Sequence, residues 1–195
     1  MMKIFKTQRA LKEHLSSIEE KFEVGFAPTM GSLHEGHLSL IRESKKRCDI
    51  VVCSIFVNPT QFNTVSDFEN YPKGYFEDIE LLKSAGCDVL FLPNNVNEGY
   101  QNEKKVSVEM GNLVNVLEGE HRPGHFDGVM RVVKLLFDIV QPDKAFFGLK
   151  DFQQFLVIQK MAKELNMEIE VLGCDIVREE NGLAMSSRNK RLSNT

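Results

Sequence analysis

Residues Asp49 to Val57 form a nearly unbroken apolar run rich in β-branched side chains. Such a run suits a strand buried on both faces, the setting of a central strand in a parallel sheet. Parallel strands cannot be joined by tight hairpins, so crossover helices must flank the run. The rest of the chain meets that demand. Thr7 is placed to cap an amphipathic helix reaching about Glu20, with Ala10, Leu11, Leu15 and Ile18 on one face. Glu23 to Pro28 reads as a short strand and His34 to Arg47 as a helix. Phe76 to Ser84 reads as a helix closed by Ala85-Gly86, and Asp88 to Leu92 as a buried strand ended by Pro93. Phe126 to Val140 is a long amphipathic helix stopped by Gln141-Pro142. Lys144 to Phe147 (strand), Phe152 to Leu165 (helix) and Glu168 to Val177 (strand) complete the pattern. The expected fold class is α/β, a doubly wound parallel sheet with right-handed crossovers.

Composition narrows the function classes. The 195 residues carry 24 Lys+Arg against 28 Asp+Glu, a net charge of −4, with 42% hydrophobic and 27% charged residues. That is globular composition, enough for one large domain or one domain and the start of another. A mildly acidic balance argues against a dedicated nucleic-acid binder but leaves anionic small molecules open. No apolar run approaches the ~20 residues of a membrane helix. The N-terminus has no signal-peptide core. Cys48, Cys53, Cys87 and Cys174 form no Cys-x-x-Cys pair and read as buried reduced thiols of a cytoplasmic protein, with no metal site expected.

In a parallel α/β sheet, ligands bind beyond the carboxyl ends of the strands, and the chemically unusual residues cluster there. The first cluster is Pro28-Thr29-Met30-Gly31-Ser32-Leu33-His34-Glu35-Gly36-His37. A strand ends, a Gly-bearing turn follows, and a helix opens on His-x-Gly-His. The unpaired N–H groups at that helix start are a ready anion site, and the two imidazoles share a face from which to donate to phosphate. Gly36 leaves room for a base or sugar to approach. Two surface histidines on a capped helix, or a metal pair lacking a third ligand, are the plainer alternatives.

The second cluster is Gly182-Leu183-Ala184-Met185-Ser186-Ser187-Arg188-Asn189, adjacent hydroxyls followed by a guanidinium fork suited to phosphate. The third is Phe147-Gly148-Leu149-Lys150-Asp151-Phe152-Gln153-Gln154, where Lys150 can neutralise phosphates and Asp151 can cap a helix or bind a ribose. One of the two glutamines should face the carboxyl edge of the sheet. The fourth is Val57-Asn58-Pro59-Thr60-Gln61-Phe62, whose amides suit small polar substrates. A fifth, Arg122-Pro123-Gly124-His125-Phe126-Asp127-Gly128-Val129, reads as an anion-binding loop or a tight turn with a helix cap.

The first two clusters resemble the paired signatures of the nucleotidyltransferase superfamily, which includes class I aminoacyl-tRNA synthetases. All five, in this order and across essentially the whole chain, resemble the pantothenate synthetase (pantoate–β-alanine ligase) family. The resemblance implies a Rossmann-like domain of the His-x-Gly-His nucleotidyltransferase type. It implies a ligase of coenzyme A biosynthesis that joins (R)-pantoate to β-alanine through a pantoyl adenylate, using ATP with Mg²⁺ and releasing pyrophosphate and AMP. Carried over by position, Met30, Gly31, Ser32, Leu33, His34, Glu35, Gly36 and His37 line the ATP site. Gly148, Leu149, Lys150, Asp151, Val177, Met185, Ser186, Ser187 and Arg188 hold the rest of the nucleotide. His37, His34 and Lys150 carry the chemistry. Gln61 and Gln154 bind pantoate, Gln61 also close to β-alanine, and Asn58 supports them.

The resemblance further implies a homodimer and a smaller C-terminal lid domain after the Met-Ser-Ser-Arg segment. Residues 1–177 would then be the ATP- and pantoate-binding domain, and residues 178–195 the phosphate motif and the start of the lid domain, otherwise absent. Thr195 follows that motif closely, so the chain is expected to be a truncated N-terminal domain of reduced activity, mobile from Arg178 onward for want of partners. Three alternatives remain: another nucleotidyltransferase with a different acceptor, a tRNA-binding synthetase fragment, and a non-catalytic nucleotide-binding module.

Overall fold

The apolar run becomes a central strand, β3 (Ile50–Ile55), whose residues from Val51 onward are all buried. The computed structural model describes residues 1–57, 71, 74–94 and 108–192. Two residues singled out in the sequence, Asn58 and Gln61, lie outside the described residues. The strands are β1 (Lys3–Phe5), β2 (Val24–Thr29), β3, β4 (Val89–Phe91), β5 (Lys144–Gly148) and β6 (Glu170–Cys174). The α-helices are α1 (Gln8–Leu15), α2 (Glu35–Arg47), α3 (Tyr75–Ala85), α4 (Glu118–His121), α5 (His125–Val140) and α6 (Phe152–Glu164). All pairings are parallel, in the order β1-β4-β3-β2-β5-β6. This is the Rossmann-like arrangement that the sequence predicts.

The sheet has a buried core on each face, because successive side chains point to opposite sides. Phe26, Val52, Phe91, Ala145 and Phe147 pack with Leu11 of α1, Val129, Leu136 and Phe137 of α5, and Ile158 of α6. Their neighbours in sequence, Ala27, Val51, Cys53, Leu90 and Phe146, pack with Leu38 and Ile41 of α2 and Leu82 of α3. The four cysteines are buried and free of disulfides. Burial is the main force raising the Cys87 thiol to about 12 and the Cys174 thiol to about 11, which leaves both unreactive. No helix among the described residues is long and apolar enough to cross a membrane.

Element boundaries differ from the sequence pattern for local reasons. Helix α1 ends at Leu15 rather than near Glu20, and Ser17 Oγ donates to the His14 carbonyl at 2.6 Å, drawing the chain off the helix. Strand β6 stops at Cys174, short of Val177, because its neighbour β5 ends opposite it at Gly148. Strand β3 stops at Ile55 for the same reason, opposite Thr29 of β2. Strand β1 has no sequence signal as a strand, being three residues on the sheet edge with Lys3 and Ile4 exposed.

Candidate active site

From β2 the chain builds the sheet outward through β3 and β4, then returns to add β5 and β6 on the other side of β2. The carboxyl ends of β2 and β5 therefore lie side by side at the point where the winding reverses, the usual ligand crevice of such sheets. Two of the sequence clusters leave the sheet there: Met30 to His37 after β2, and Leu149 to Gln154 after β5.

The β2–α2 turn is held from within. Gly31 and Ser32 both take positive φ, 80° and 51°. A side chain at Gly31 would meet Asp78 Oδ2 and Ile55 Cγ2 at 3.0 Å. Thr29 Oγ1 accepts the Gly31 amide at 3.2 Å and donates to the Ser54 carbonyl at 2.7 Å. The buried carboxylate of Asp78, in the first turn of α3, accepts the Ser32 amide at 2.8 Å and the Leu33 amide at 2.7 Å. Tyr71 donates to the Gly31 carbonyl at 3.3 Å. The next amides go to the imidazoles: His37 Nδ1 accepts the His34 amide at 3.3 Å and His34 Nδ1 accepts the Gly36 amide at 3.2 Å.

This changes how an anion would be bound. The sequence predicts open amides at the helix start, but those of residues 31, 32, 33, 34 and 36 are engaged inside the protein, two of them by Asp78. The space at Gly36 is taken as well, since a Cβ there would lie 3.0 Å from the His34 ring. Recognition passes to side chains. With both Nδ1 atoms accepting, each neutral imidazole carries its proton on Nε2, as a donor. The rings lie 4.0 Å apart between centroids, tilted by 42°. The His37 imidazole is lowered to about 3, by burial first, then by His34 and Lys150, so it is neutral at ordinary pH.

Two connected cavities open above the switch point. The deeper one, ≈ 160 Å³, lies between the ends of β2 and β5 and the apolar face of α5, with Val129, Val132, Val133 and Phe147 on its wall. His37, Gly148, Asp151 and Gln154 supply its polar groups. The wider one, ≈ 400 Å³, is lined by Arg122, His125, Lys150, Arg188, Glu118 and Asp151 among others. Met30, Asp151 and Gln154 belong to both walls and mark the junction. The net charge is negative, yet cationic side chains converge here. Lys150 is paired with Asp151 at 2.8 Å. Of the two glutamines, Gln154 reaches the junction. Gln153 instead donates to the carbonyls of Leu113 (2.8 Å) and Val116 (2.7 Å) and accepts the Glu118 amide at 3.0 Å.

The segment from Arg178 has partners among the described residues. Arg178 pairs with Ala184 in an antiparallel bridge, and Met185 donates from its amide to the Val177 carbonyl at 3.0 Å. Ser187 is buried and its hydroxyl donates to the Ser32 carbonyl at 2.8 Å. The Met-Ser-Ser-Arg segment is thereby tied to the His-x-Gly-His turn, with Ser186 Oγ accepting the Arg188 amide at 3.3 Å and Arg188 on the wide cavity wall.

Of the residues singled out in the sequence, Met30, His37, Gly148, Lys150, Asp151, Gln154 and Arg188 share these two walls. Gly31, Ser32 and Leu33 are buried behind them, and Glu35 points outward to Arg42 at 2.7 Å. Leu149 packs into the core, and Val177 lines a separate cavity beside α2 with Arg42 and Lys46. Asp78 shapes the site without a sequence signal, reading as an ordinary polar residue on a helix, and Gln153, marked in the third cluster, braces residues 113–118 rather than the junction.

The Pantoate-beta-alanine ligase family model matches residues 3–195. The chain belongs to the pantoate–β-alanine ligase family. It is 52% identical over 184 residues to pantothenate synthetase of Cytophaga hutchinsonii, covering 94% of this chain and 65% of that one. It is 53% identical over 171 residues to pantothenate synthetase of Acinetobacter baumannii, covering 87% of this chain and 60% of that one. The chain thus spans about 60–65% of the length of these curated family members. Among solved structures, the pantoate–β-alanine ligase of Francisella tularensis, complexed with βγ ATP and β-alanine, superposes with a TM-score of 0.94 at 38% identity. That match covers 100% of this chain and 74% of the other.

Proposed function

We propose that this chain carries the adenylating site of a pantoate–β-alanine ligase. The observation that carries the reading is the junction: a small cavity with an apolar wall from α5 and the polar groups of His37 and Gln154 adjoins a wider one bearing Lys150 and Arg188. A short branched acid suits the first and a polyphosphate the second. Family membership supplies the identity of the acid.

In this reading ATP lies along Met30–His37, Gly148–Asp151, Val177 and Met185–Arg188. Pantoate sits in the deep cavity on Gln154, with Gln61 and Asn58 beside it. A pantoate carboxylate oxygen attacks the α-phosphorus of ATP, and the bond to the bridging oxygen of pyrophosphate breaks. The amine of β-alanine then attacks the acyl carbon, AMP leaves with the acyl oxygen, and the amine gives up a proton. The protein's task is positioning and charge stabilisation. His37 and His34 donate from Nε2 to phosphate oxygens as charge grows, and Lys150 and Arg188 neutralise them. By the same resemblance, Mg²⁺ would accompany the phosphates. Glu118 and Asp151, paired with Arg122 and Lys150, would each have a second carboxylate oxygen to offer an ion that keeps most of its water and takes one or two protein oxygens. It would shield the phosphate charge. By the same resemblance, the protein works as a cytoplasmic homodimer.

The test is pantoate-dependent exchange of labelled pyrophosphate into ATP, followed by pantothenate formation when β-alanine is added. His37→Ala should lower the exchange by about 10²–10³-fold. Exchange that needs no pantoate, or that His37→Ala leaves unchanged, would refute the reading.

A further inference from the structure

Lys150, Arg188 and the two imidazoles answer to phosphate in the reading above, and the deep cavity answers to pantoate. Arg122 and His125, on the wall of the wide cavity, have no role in it. They flank a tight turn in which the His125 amide donates to the Arg122 carbonyl at 3.1 Å. Gly124, with φ 77° and ψ −6°, takes the third position of a type II turn and Pro123 the second. The turn therefore brings the two side chains side by side at the entrance of α5. Glu118 fixes Arg122 by Nη1 at 2.9 Å. His125 stacks at a tilt on Phe126, 5.1 Å between centroids.

The helix then links this pair to the deep cavity. Val129 lies one turn beyond His125 on the same face and lines the deep wall, while His125 lines the wide one. A ligand lying along that face runs from the guanidinium and imidazole at the mouth toward the junction of Met30, Asp151 and Gln154. The amine of the second substrate must reach that junction, and its carboxylate, two methylenes away, needs a cation on the mouth side.

We propose that Arg122 and His125 form the carboxylate subsite for the amino-acid co-substrate. Arg122 takes the carboxylate, and His125 adds a donor beside it, near the positive end of α5. The proposal rests on the reading of the site given above. It also assigns a selectivity: amines that lack a carboxylate at this distance are discriminated against here.

The test uses the chain itself and follows the His125 imidazole by NMR, identified by its loss in His125→Gln. β-Alanine should shift that resonance, whereas β-alaninamide, which keeps the amine and loses the charge, should not. Arg122→Ala should weaken β-alanine binding by at least about tenfold and remove the preference over the amide. Arg122→Lys should recover part of both. Pantoate affinity should stay within about twofold in each variant, which also shows that they fold, since neither residue lines the deep cavity. β-Alanine binding unchanged in Arg122→Ala, or equal shifts from the acid and the amide, would overturn the subsite. If ATP and pantoate bind but β-alanine leaves His125 unmoved, the subsite alone falls. If neither ATP nor pantoate binds, the adenylation reading falls and the subsite with it.

Discussion

The Asp78 carboxylate accepts the Leu33 amide at 2.7 Å across 45 residues, from α3 to the turn that opens α2. Its other oxygen takes the Ser32 amide. A carboxylate so buried holds the turn that a phosphate would otherwise order. Asp78→Asn keeps one acceptor but turns an NH₂ group toward a second backbone N–H. It should cost about 2–3 kcal/mol in urea unfolding, and Asp78→Ala rather more. Both should weaken ATP binding, because the imidazoles of His34 and His37 hang from the same turn. Unchanged stability in Asp78→Asn would show that the turn holds itself.

Lowering the His37 pKa to about 3 makes the fold sensitive to acid. Between pH 6.5 and about 3 the unfolded chain protonates this imidazole and the folded chain does not. The unfolded state therefore binds more protons, and stability falls as pH drops through that window. The part due to His37 should be about 2–4 kcal/mol, kept below the full linkage because the residue is only half-buried. Denaturant unfolding across this range should show a shallower slope in His37→Gln than in the unsubstituted chain. Parallel slopes would contradict it.

The adjacent glutamines should separate cleanly. Gln154→Ala removes a polar group from the junction and should weaken pantoate binding by about tenfold or more, with little loss of stability. Gln153→Ala leaves the junction intact but frees the wall residue Leu117, which holds a strained φ of 50° and ψ of −122°. It should cost about 1–3 kcal/mol and expose residues 113–118 to faster hydrogen exchange. Leu117→Gly should relieve the strain and gain up to about 1 kcal/mol in unfolding.

How far the sequence reaches follows from the range of each signal. The sheet is legible because burial on both faces forces apolar runs, and helices between them leave only a parallel topology. The clusters at the strand ends are legible because Gly, His, Lys and Arg are unusual there. Gly86 as the left-handed end of α3 is a local event, written in adjacent residues, whereas His34, read as the first residue of its helix, caps α2 instead. Asp78 and the bracing role of Gln153 are not legible, because their partners lie 45 and about 35–40 residues away and nothing local marks those contacts. For the same reason the sequence shows open amides at the α2 start that the folded chain has already filled. The predicted lack of partners beyond Arg178 fails on a contact spanning 155 residues, Ser187 to Ser32.

That contact yields the last prediction. The Ser187 hydroxyl is buried and donates to a carbonyl inside the β2–α2 turn, so the phosphate-facing segment and the imidazoles move together. Ser187→Ala removes the donor and leaves the Ser32 carbonyl without it, which should cost about 1–2 kcal/mol. The loss should be local, since the Ser187–Ser32 bond ties residues 178–192 to the β2–α2 turn, whereas the Arg178–Ala184 bridge lies within the segment and the Met185 amide reaches only Val177. Proteolysis within residues 178–192 should quicken several-fold while the midpoint of global unfolding shifts little. ATP affinity should fall with it, because Arg188 reaches the cavity from the freed segment. Ser187→Thr keeps the hydroxyl, and should restore protection and affinity together if the tether is what couples them. Restoration of one without the other would break that link.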